Sequence, residues 1–452
     1  MKLHRRFSSL ILVLVSVGVA TAQTGRTIHL NFNETRLANG LRVITVEDHT
    51  APVIAVDITY NVGSRNERQG RTGFAHLFEH MMFKGSENVG TGEHFYLIFN
   101  NGGTMNGTTN EDRTTYFEAL PANQLDLALY LEADRMRSLV INKTNLDNQR
   151  NAVQEERRLG VDNQPYGQSG EIQQGLIYDN FAYKHTVIGS MEDLNAATVE
   201  DVAAFFKTYY APNNAVLALV GDFKTADAVK TIKQYFENIP RQPDPPSVDM
   251  TEPEQKAERR ANVDDALARL PQVDIAFKAV PGNTSDFYAL QVLSAALQGG
   301  QSSRFYQALV KDKQIVTNVG GFMDEKRGVG ALYTSATLRQ GVKSADVETA
   351  IYDEIERLKK DGIADWELQK AKNTTRRNFI NNMQSSLSRA LNLSIWTVYY
   401  NDPDLINTRL DKVGAVTKED VQRVANKYLN PTNRTVVVTT PKPKATAAAT
   451  QQ

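Results

Sequence analysis

The chain repeats one stretch of its own sequence, and this repeat limits the folds that it can adopt. Residues 197–220 align without a gap with residues 416–439. The identical pairs are Thr198/Thr417, Glu200/Glu419, Asp201/Asp420, Val202/Val421, Tyr209/Tyr428, Pro212/Pro431 and Asn214/Asn433. Each copy predicts a helix that begins after a threonine N-cap, then a turn and an apolar strand. We therefore expect two homologous halves.

A segment rich in proline and charge, residues 240–262, separates the copies and predicts an interdomain linker. The two halves are then residues 23–239 and 263–440, and both are within the usual size of a domain. Each half is predicted to begin and end with a strand and to contain helices between them. The predicted strands are 53–61 and 216–220 in the first half and 273–280 and 435–439 in the second.

The two ends of the chain are predicted to lie outside the folded halves. Residues 1–22 resemble a secretory signal peptide, because basic residues precede a short apolar run that ends in Ala20-Thr21-Ala22. We therefore expect an exported protein, periplasmic or extracellular. The chain offers no later apolar run long enough for a membrane span. Residues 441–452 are predicted to be a disordered tail.

The composition excludes several kinds of site. The chain has no cysteine, so disulfides, thiolate metal ligands and a cysteine nucleophile are excluded, and any metal must be bound by histidine and carboxylate. A formal net charge of −1 provides no basic surface for nucleic acid.

Residues 76–80 read H-L-F-E-H, and this is the most chemically specific motif of the chain. On a helix, residues four apart share a face, so His76 and His80 can bind one metal ion with Glu79 beside it. A zinc ion with two histidines and a carboxylate keeps one position for water and lowers the pKa of that water. Glu79 is then predicted to accept the proton of the water as general base. Two chance histidines on a buried helix are the alternative interpretation.

A third ligand is expected on the predicted helix 142–163. Four of its positions recur at helical spacing and form one stripe: Leu146, Gln149, Val153 and Glu156. This stripe predicts Glu156 as the third ligand, and Glu155, about 100° around the helix, is the alternative. Zinc is the default metal for two histidines and a glutamate, although manganese or cobalt also suits these ligands.

Several segments together resemble the pitrilysin/insulinase family of inverted-motif zinc peptidases, in particular its short two-half members similar to mitochondrial processing peptidase. The resemblance covers nearly all of the mature chain. Its segments are G-S-R-N-E at Gly63, T-G-F-A-H-L-F-E-H-M-M-F-K-G-S at Thr72, G-G-T-M-N-G-T-T at Gly102, N-A-V-Q-E-E at Asn151 and G-G-Q-S-S-R-F-Y-Q-A-L at Gly299. It implies an α+β fold of two processing-peptidase-like halves, each a mixed, largely antiparallel sheet packed by helices.

The resemblance also implies a function. It implies one Zn²⁺ per chain, held by His76, His80 and Glu156, and an endopeptidase or oligopeptidase that hydrolyses flexible peptides with a zinc-bound water activated by Glu79. The peptide substrate is expected to pair with one strand of the chain. The residues of that strand are Thr104, Met105, Asn106, Gly107 and Thr108. A glycine-rich hairpin turn is the alternative for this segment.

Two departures from the family pattern affect these expectations. Gln149 stands where the family usually has a second glutamate, so Glu79 is expected to transfer the proton alone. Val310 and Thr317 stand where active members often have an arginine and a tyrosine that hold the substrate. We therefore expect a homologous hetero-partner subunit that supplies this pair. A self-sufficient homodimer and a non-catalytic binding or assembly subunit are the alternatives.

Overall fold

The structure, a computed structural model, describes residues 29–442. The predicted signal peptide and residues 443–452 of the predicted tail lie outside the described residues. The described part forms two sheets, one in each half, and helices cover both of them. Within residues 29–442, no helix combines the length and the apolarity that are needed to cross a membrane.

Eleven strands form the two sheets of the described chain. Those of the N-terminal half are β1 (Asn33–Arg36), β2 (Arg42–Glu47), β3 (Val53–Tyr60), β4 (Thr104–Thr109), β5 (Thr114–Pro121) and β6 (Ala215–Gly221). Those of the C-terminal half are β7 (Arg259–Asp265), β8 (Gln272–Lys278), β9 (Val316–Met323), β10 (Ala331–Leu338) and β11 (Arg434–Pro441).

Fifteen α-helices, counted over the same residues, complete the fold. Those of the N-terminal half are α1 (Phe74–Met81), α2 (Glu93–Asn100), α3 (Leu125–Ser138), α4 (Lys143–Arg157), α5 (Gly167–Ile177), α6 (Phe181–Lys184), α7 (Met191–Asn195), α8 (Val199–Tyr209) and α9 (Thr225–Phe236). Those of the C-terminal half are α10 (Ser285–Gln298), α11 (Ser344–Asp361), α12 (Asp365–Asn382), α13 (Ser386–Tyr400), α14 (Leu405–Gly414) and α15 (Lys418–Tyr428).

The two sheets have the same topology except for β1, an additional edge strand of the first sheet. The strand order is β1-β2-β6-β3-β5-β4 in the first sheet and β7-β11-β8-β10-β9 in the second. In each sheet one pair is parallel, β2 with β6 or β7 with β11, and the other pairs are antiparallel. The expected α+β fold of two homologous halves with mixed, largely antiparallel sheets is confirmed.

The aligned repeats adopt the same local structure. The hydroxyl oxygen of Thr198 accepts a 3.1 Å hydrogen bond from the backbone N–H of Asp201 at the start of α8. Thr417 caps α15 in the same way, accepting a 3.1 Å hydrogen bond from the N–H of Asp420. In the segment predicted as a linker, residues 240–258 form neither helix nor strand, and β7 begins at Arg259.

Each half covers the sheet of the other half with one helix. Helix α13 of the C-terminal half packs on β3 and β6. There Leu393 and Trp396 join one buried apolar cluster with Ile44 and Val216. Helix α5 of the N-terminal half packs on β7, β8 and β11. The two halves are therefore joined by exchanged helices as well as by the segment 240–258.

Candidate metal centre

Helix α1, which contains the H-L-F-E-H motif, is anchored at its first turn by Glu67. The buried carboxylate of Glu67 accepts hydrogen bonds from the N–H groups of Gly73 (2.9 Å) and Ala75 (2.7 Å). These groups have no partner within the helix, and a carboxylate is favoured at a helix N-terminus. Gly73 has φ of +85°, and a Cβ there would lie 2.7 Å from the carbonyl oxygen of Ile188. Glycine is therefore required where the chain enters α1.

The structure brings the three predicted metal ligands together. His76 and His80 lie on one face of α1, with ring centroids 4.8 Å apart. Helix α4 presents Glu156 to both rings, with 3.6 Å between Nε2 of His76 and Oε1 and 3.3 Å between Nε2 of His80 and Oε2. One possible ligand atom from each of the three residues lies within 4.8 Å of the others.

These distances fit a tetrahedral zinc site. Zinc–ligand bonds of about 2.0–2.1 Å place neighbouring nitrogen and oxygen ligands about 3.4 Å apart. Burial, and then the nearby His80, lowers the pKa of His76 to about 4, so its imidazole is neutral, the form that binds metals. A hydrogen bond with His80 lowers the pKa of Glu156, which favours the ionised ligand. The donor set therefore suits a divalent cation of the zinc type.

Two other polar residues of α4, Glu155 and Gln149, form hydrogen bonds away from the two histidines. The carboxylate of Glu155, the alternative ligand, accepts a 3.0 Å hydrogen bond from Arg158, and both side chains are exposed to solvent. The buried amide of Gln149 donates a hydrogen bond to Asn148 on its own helix. Glu156 is therefore the carboxylate of this helix that meets both histidines.

Glu79 projects from α1 toward strand β4 and is buried, with 8% of its surface exposed. Its Oε2 atom accepts a 2.5 Å hydrogen bond from the hydroxyl of Thr109. Burial raises the pKa of Glu79, although the hydrogen bond from Thr109 and the charge of His80 oppose this effect. A carboxylate with a raised pKa is a stronger proton acceptor, which is the property that a general base requires.

The predicted substrate strand lies beside Glu79. Residues Thr104–Thr109 form β4, so the alternative of a hairpin turn for this segment is wrong. Strand β4 is at the edge of its sheet and pairs with β5 alone, so one of its sides has no neighbouring strand. Gly107 is buried against Glu79, since a Cβ there would lie 3.1 Å from Cγ and 3.2 Å from Oε1 of Glu79.

Thr109 is a candidate site residue that the sequence analysis missed. Alternate residues of a strand share one face, so Gly107 and Thr109 both point toward α1. Extending the substrate segment by one residue and applying this alternation identifies Thr109 from sequence alone.

The C-terminal half has no equivalent set of ligands. At the offset of the repeat, His76, Glu79 and His80 correspond to Ala295, Gln298 and Gly299. Likewise, no arginine or tyrosine stands at Val310, within a π-helical turn, or at Thr317, on the edge strand β9. This half can therefore neither bind metal in the manner of its counterpart nor provide the arginine and tyrosine pair.

A second group of histidine and glutamate side chains lies in the core of the N-terminal half. His94, Glu118 and Glu132 are fully buried and close enough to share an ion. The guanidinium of Arg135, however, already forms an ion pair with Glu132 and stacks over the ring of Tyr116. The guanidinium of Arg135 thus provides the positive charge beside these buried glutamates.

Comparison with known proteins agrees with this architecture. Residues 42–168 match the sequence family described as Insulinase (Peptidase family M16), and residues 196–375 match the one described as Peptidase M16 inactive domain. Zinc protease PqqE of Helicobacter pylori is 32% identical to the chain over 408 residues, 90% of this chain and 92% of that protein. The Arabidopsis thaliana protein named "Probable mitochondrial-processing peptidase subunit beta" is 24% identical over 87% of this chain and 76% of its own length.

Solved structures share the fold. A protease from Helicobacter pylori superimposes with a TM-score of 0.87 at 31% identity, over 91% of this chain and 100% of that one. The periplasmic protease PqqL from Escherichia coli superimposes with a TM-score of 0.74 at 16% identity, over 92% of this chain but 48% of that one. With two matched family regions and a relative above 30% identity, the chain belongs to the insulinase family of peptidases, family M16.

Proposed function

We propose that the chain is an exported, zinc-dependent endopeptidase or oligopeptidase that hydrolyses flexible peptides. The observation that carries this proposal is the position of Glu79, a buried carboxylate on the helix of two candidate metal ligands that is hydrogen-bonded to the edge strand β4. The zinc proteases among the relatives support the same chemistry. The predicted signal peptide, together with the periplasmic location named for PqqL, supports export.

In this proposal His76, His80 and Glu156 hold one zinc ion per chain. When bound, zinc polarises the scissile carbonyl and lowers the pKa of water. Glu79 takes the proton of the attacking water and returns it to the leaving amine. The hydrogen bond from Thr109 occupies Oε2, which leaves Oε1 as the oxygen that accepts this proton.

The proposed substrate class depends on β4, the edge strand of the N-terminal sheet, with which an extended peptide can pair. An extended peptide adds to β4 along Thr104–Thr108, and its backbone supplies most of the hydrogen bonds. Thr104 and Asn106 are exposed, whereas Gly107 is buried against Glu79, so the scissile bond is placed near Gly107. A backbone that is already hydrogen-bonded within secondary structure is not available to pair with β4, so we expect unstructured peptides to be the substrates.

The same proposal includes a homologous partner subunit. Neither Val310 nor Thr317 can replace the guanidinium or the phenol that other members direct at the substrate. The chain also spans about half of PqqL, so a second chain of this size would match that length. A partner that supplies the missing pair would complete the site, and a homodimer is the competing arrangement.

Peptide hydrolysis by zinc-loaded protein tests the proposal. We expect cleavage of an unstructured, internally quenched peptide, and a loss of about a hundredfold to ten-thousandfold in Glu79→Gln with zinc retained. His76→Ala is expected to lose both zinc and activity. Glu155→Gln is the matched control, since it removes a solvent-exposed carboxylate from the same region. Full activity in Glu79→Gln would exclude this residue as the base.

The partner is tested by purifying the chain from its native source. A similar-sized second protein in equal amount, which activates the otherwise silent chain, would support the hetero-partner. Peptidase activity of a dimer that contains only this chain would instead support the homodimer and exclude a required hetero-partner. A folded, zinc-loaded chain that stays silent with its partner would indicate a non-catalytic binding or assembly subunit.

A further inference from the structure

The hairpin that carries the substrate strand touches its counterpart in the other half. Residues 110–113 connect β4 to β5, and residues 324–330 connect the equivalent strands β9 and β10. Nζ of Lys326 lies 2.8 Å from Oε1 of Glu111. One residue further along each loop, the N–H of Arg327 donates a 2.9 Å hydrogen bond to Asp112. The turns at the ends of the two hairpins are therefore in contact.

This contact is buried and balanced in charge. The side chain of Lys326 is 7% exposed, and its ammonium also lies 2.9 Å from the carboxylate of Asp324. Asp112 is 1% exposed and accepts a hydrogen bond from Tyr183. Three cations and three carboxylates meet here: Arg65, Lys326, Arg327, Glu111, Asp112 and Asp324.

The turn between β4 and β5 is held from both sides. Within its own half, Asn110 and Glu111 accept backbone hydrogen bonds from Ser64 (3.2 Å) and Arg65 (3.0 Å). On the opposite side it contacts the C-terminal half through Lys326 and Arg327. Thr109 directly precedes this turn, so the position of its hydroxyl depends on where the turn is held.

We propose that Lys326 is a positioning residue, which holds the β4–β5 turn so that Thr109 meets Glu79. The C-terminal half, which lacks metal ligands, would thereby control the geometry of the site in the N-terminal half. This inference rests on the proposed function for its catalytic consequence. Its structural consequence, the ordering of β4, is independent of activity.

The physical reason is the pair of carboxylates that Lys326 separates. Without the ammonium, Glu111 and Asp324 would face each other in a poorly solvated place with no cation between them. Like charges in such surroundings repel strongly, and an uncompensated buried charge is costly. The turn is joined to β4, which pairs with a single neighbouring strand, so β4 and its turn are the part that moves away.

Steady-state kinetics with matched variants tests the catalytic consequence. We expect Lys326→Met to lower kcat by about tenfold or more with zinc content unchanged, because small displacements of catalytic groups have large effects on rate. Lys326→Arg keeps the charge and is expected to restore most of kcat. The control is Arg389→Met, which removes another ion pair between the halves, with Asp48, 2.6 Å apart and away from the hairpin. Equal kcat values in Lys326→Met and Arg389→Met would overturn the proposal.

Hydrogen–deuterium exchange on the metal-free full chain tests the structural consequence. Amides of residues 104–109 are expected to exchange about fivefold or more faster in Lys326→Met and at the parent rate in Arg389→Met. If Lys326→Met fails to fold, Lys326→Gln, which also removes the ammonium but keeps a polar side chain between Glu111 and Asp324, is measured instead. Unchanged exchange, or faster exchange with unchanged kcat, overturns the positioning role. A parent chain that shows no peptidase activity either alone or with its partner would refute the proposed function, and exchange would still decide the anchoring.

Discussion

The hydroxyl of Thr109 on strand β4 lies 2.5 Å from Oε2 of Glu79 on helix α1. A hydrogen bond therefore joins the strand proposed to bind the substrate to the helix that presents two candidate metal ligands. Because Thr109 is the donor, it orients the carboxylate and leaves the second oxygen available.

Removal of this hydroxyl is expected to slow peptide hydrolysis. A hydrogen bond to a charged group contributes about 1.5–3 kcal/mol, so Thr109→Val should lower kcat by about tenfold to a hundredfold. Thr109→Ser keeps the donor and should remain near the parent. Thr349→Val, which removes an exposed hydroxyl bonded to a helix carbonyl, is the control. Parent-like kcat in Thr109→Val would exclude the orienting role.

The assignment of Glu156 as third ligand predicts that substitution of Glu156 weakens zinc binding and that substitution of the adjacent Glu155 does not. We expect Glu156→Gln to weaken zinc binding by about two orders of magnitude, because a neutral amide is a poor zinc ligand. Glu155→Gln should bind zinc as the parent does, since its carboxylate pairs with Arg158. The zinc affinity of both variants is measured as the zinc that each retains after dialysis against a series of chelator concentrations. Equal retention by the two variants would contradict the assignment.

The exchanged helices predict that the halves unfold together. Leu393 lies on α13 of the C-terminal half but is buried against the sheet of the N-terminal half. Leu393→Ala should cost about 2–5 kcal/mol, as large-to-small core substitutions do. Leu290→Ala, in the C-terminal half's own core, is the matched comparison. In calorimetry the chain should show a single unfolding transition, and both variants should lower its midpoint temperature. Two transitions, each shifted by only one of the variants, would contradict cooperative unfolding.

A buried carboxyl beneath α13 predicts how stability changes with pH. Asp57 accepts hydrogen bonds from Thr59, Thr115 and Ser394, and burial raises its pKa from 3.8 to about 6. Between these two values the unfolded chain loses its proton and the folded chain does not. Stability therefore falls by about 2 kcal/mol as pH rises from 4 to 6, and it remains lower at higher pH.

The substitution Asp57→Asn tests this relation, because it removes the titrating group. Its free energy of unfolding relative to the parent should increase by about 2 kcal/mol between pH 4 and pH 7 in denaturant titrations. Asp48→Asn is a control of opposite sign, because hydrogen bonds from Thr50 lower the pKa of Asp48. A difference between Asp57→Asn and the parent that does not vary with pH would contradict the prediction.

Much of the fold and of the candidate site follows from local spacing in the sequence. The threonine caps and the predicted strands depend on residues a few positions apart, and the two homologous halves follow from the repeat of residues 197–220 at 416–439. His76 and His80 are also close in the sequence, one helical turn apart. Glu156 was predicted from the inward-facing stripe of its helix, and the structure places it against both histidines.

Features that join distant segments could not be predicted in this way. The repeat implies that α5 and α13 are equivalent, but not that each packs on the other half's sheet. Contacts such as Lys326 with Glu111 join residues more than two hundred positions apart, and no periodicity relates them.

By itself, therefore, the sequence determined the family, the two-half architecture and the candidate metal ligands, because these depend on motifs within single elements and on a repeat along the chain. Only the tertiary structure showed that Thr109 donates a hydrogen bond to Glu79, and that the C-terminal half contacts the hairpin beside the candidate site. Such relations depend on how separate elements pack, and packing is set by the shape and charge of surfaces that the chain brings together only on folding.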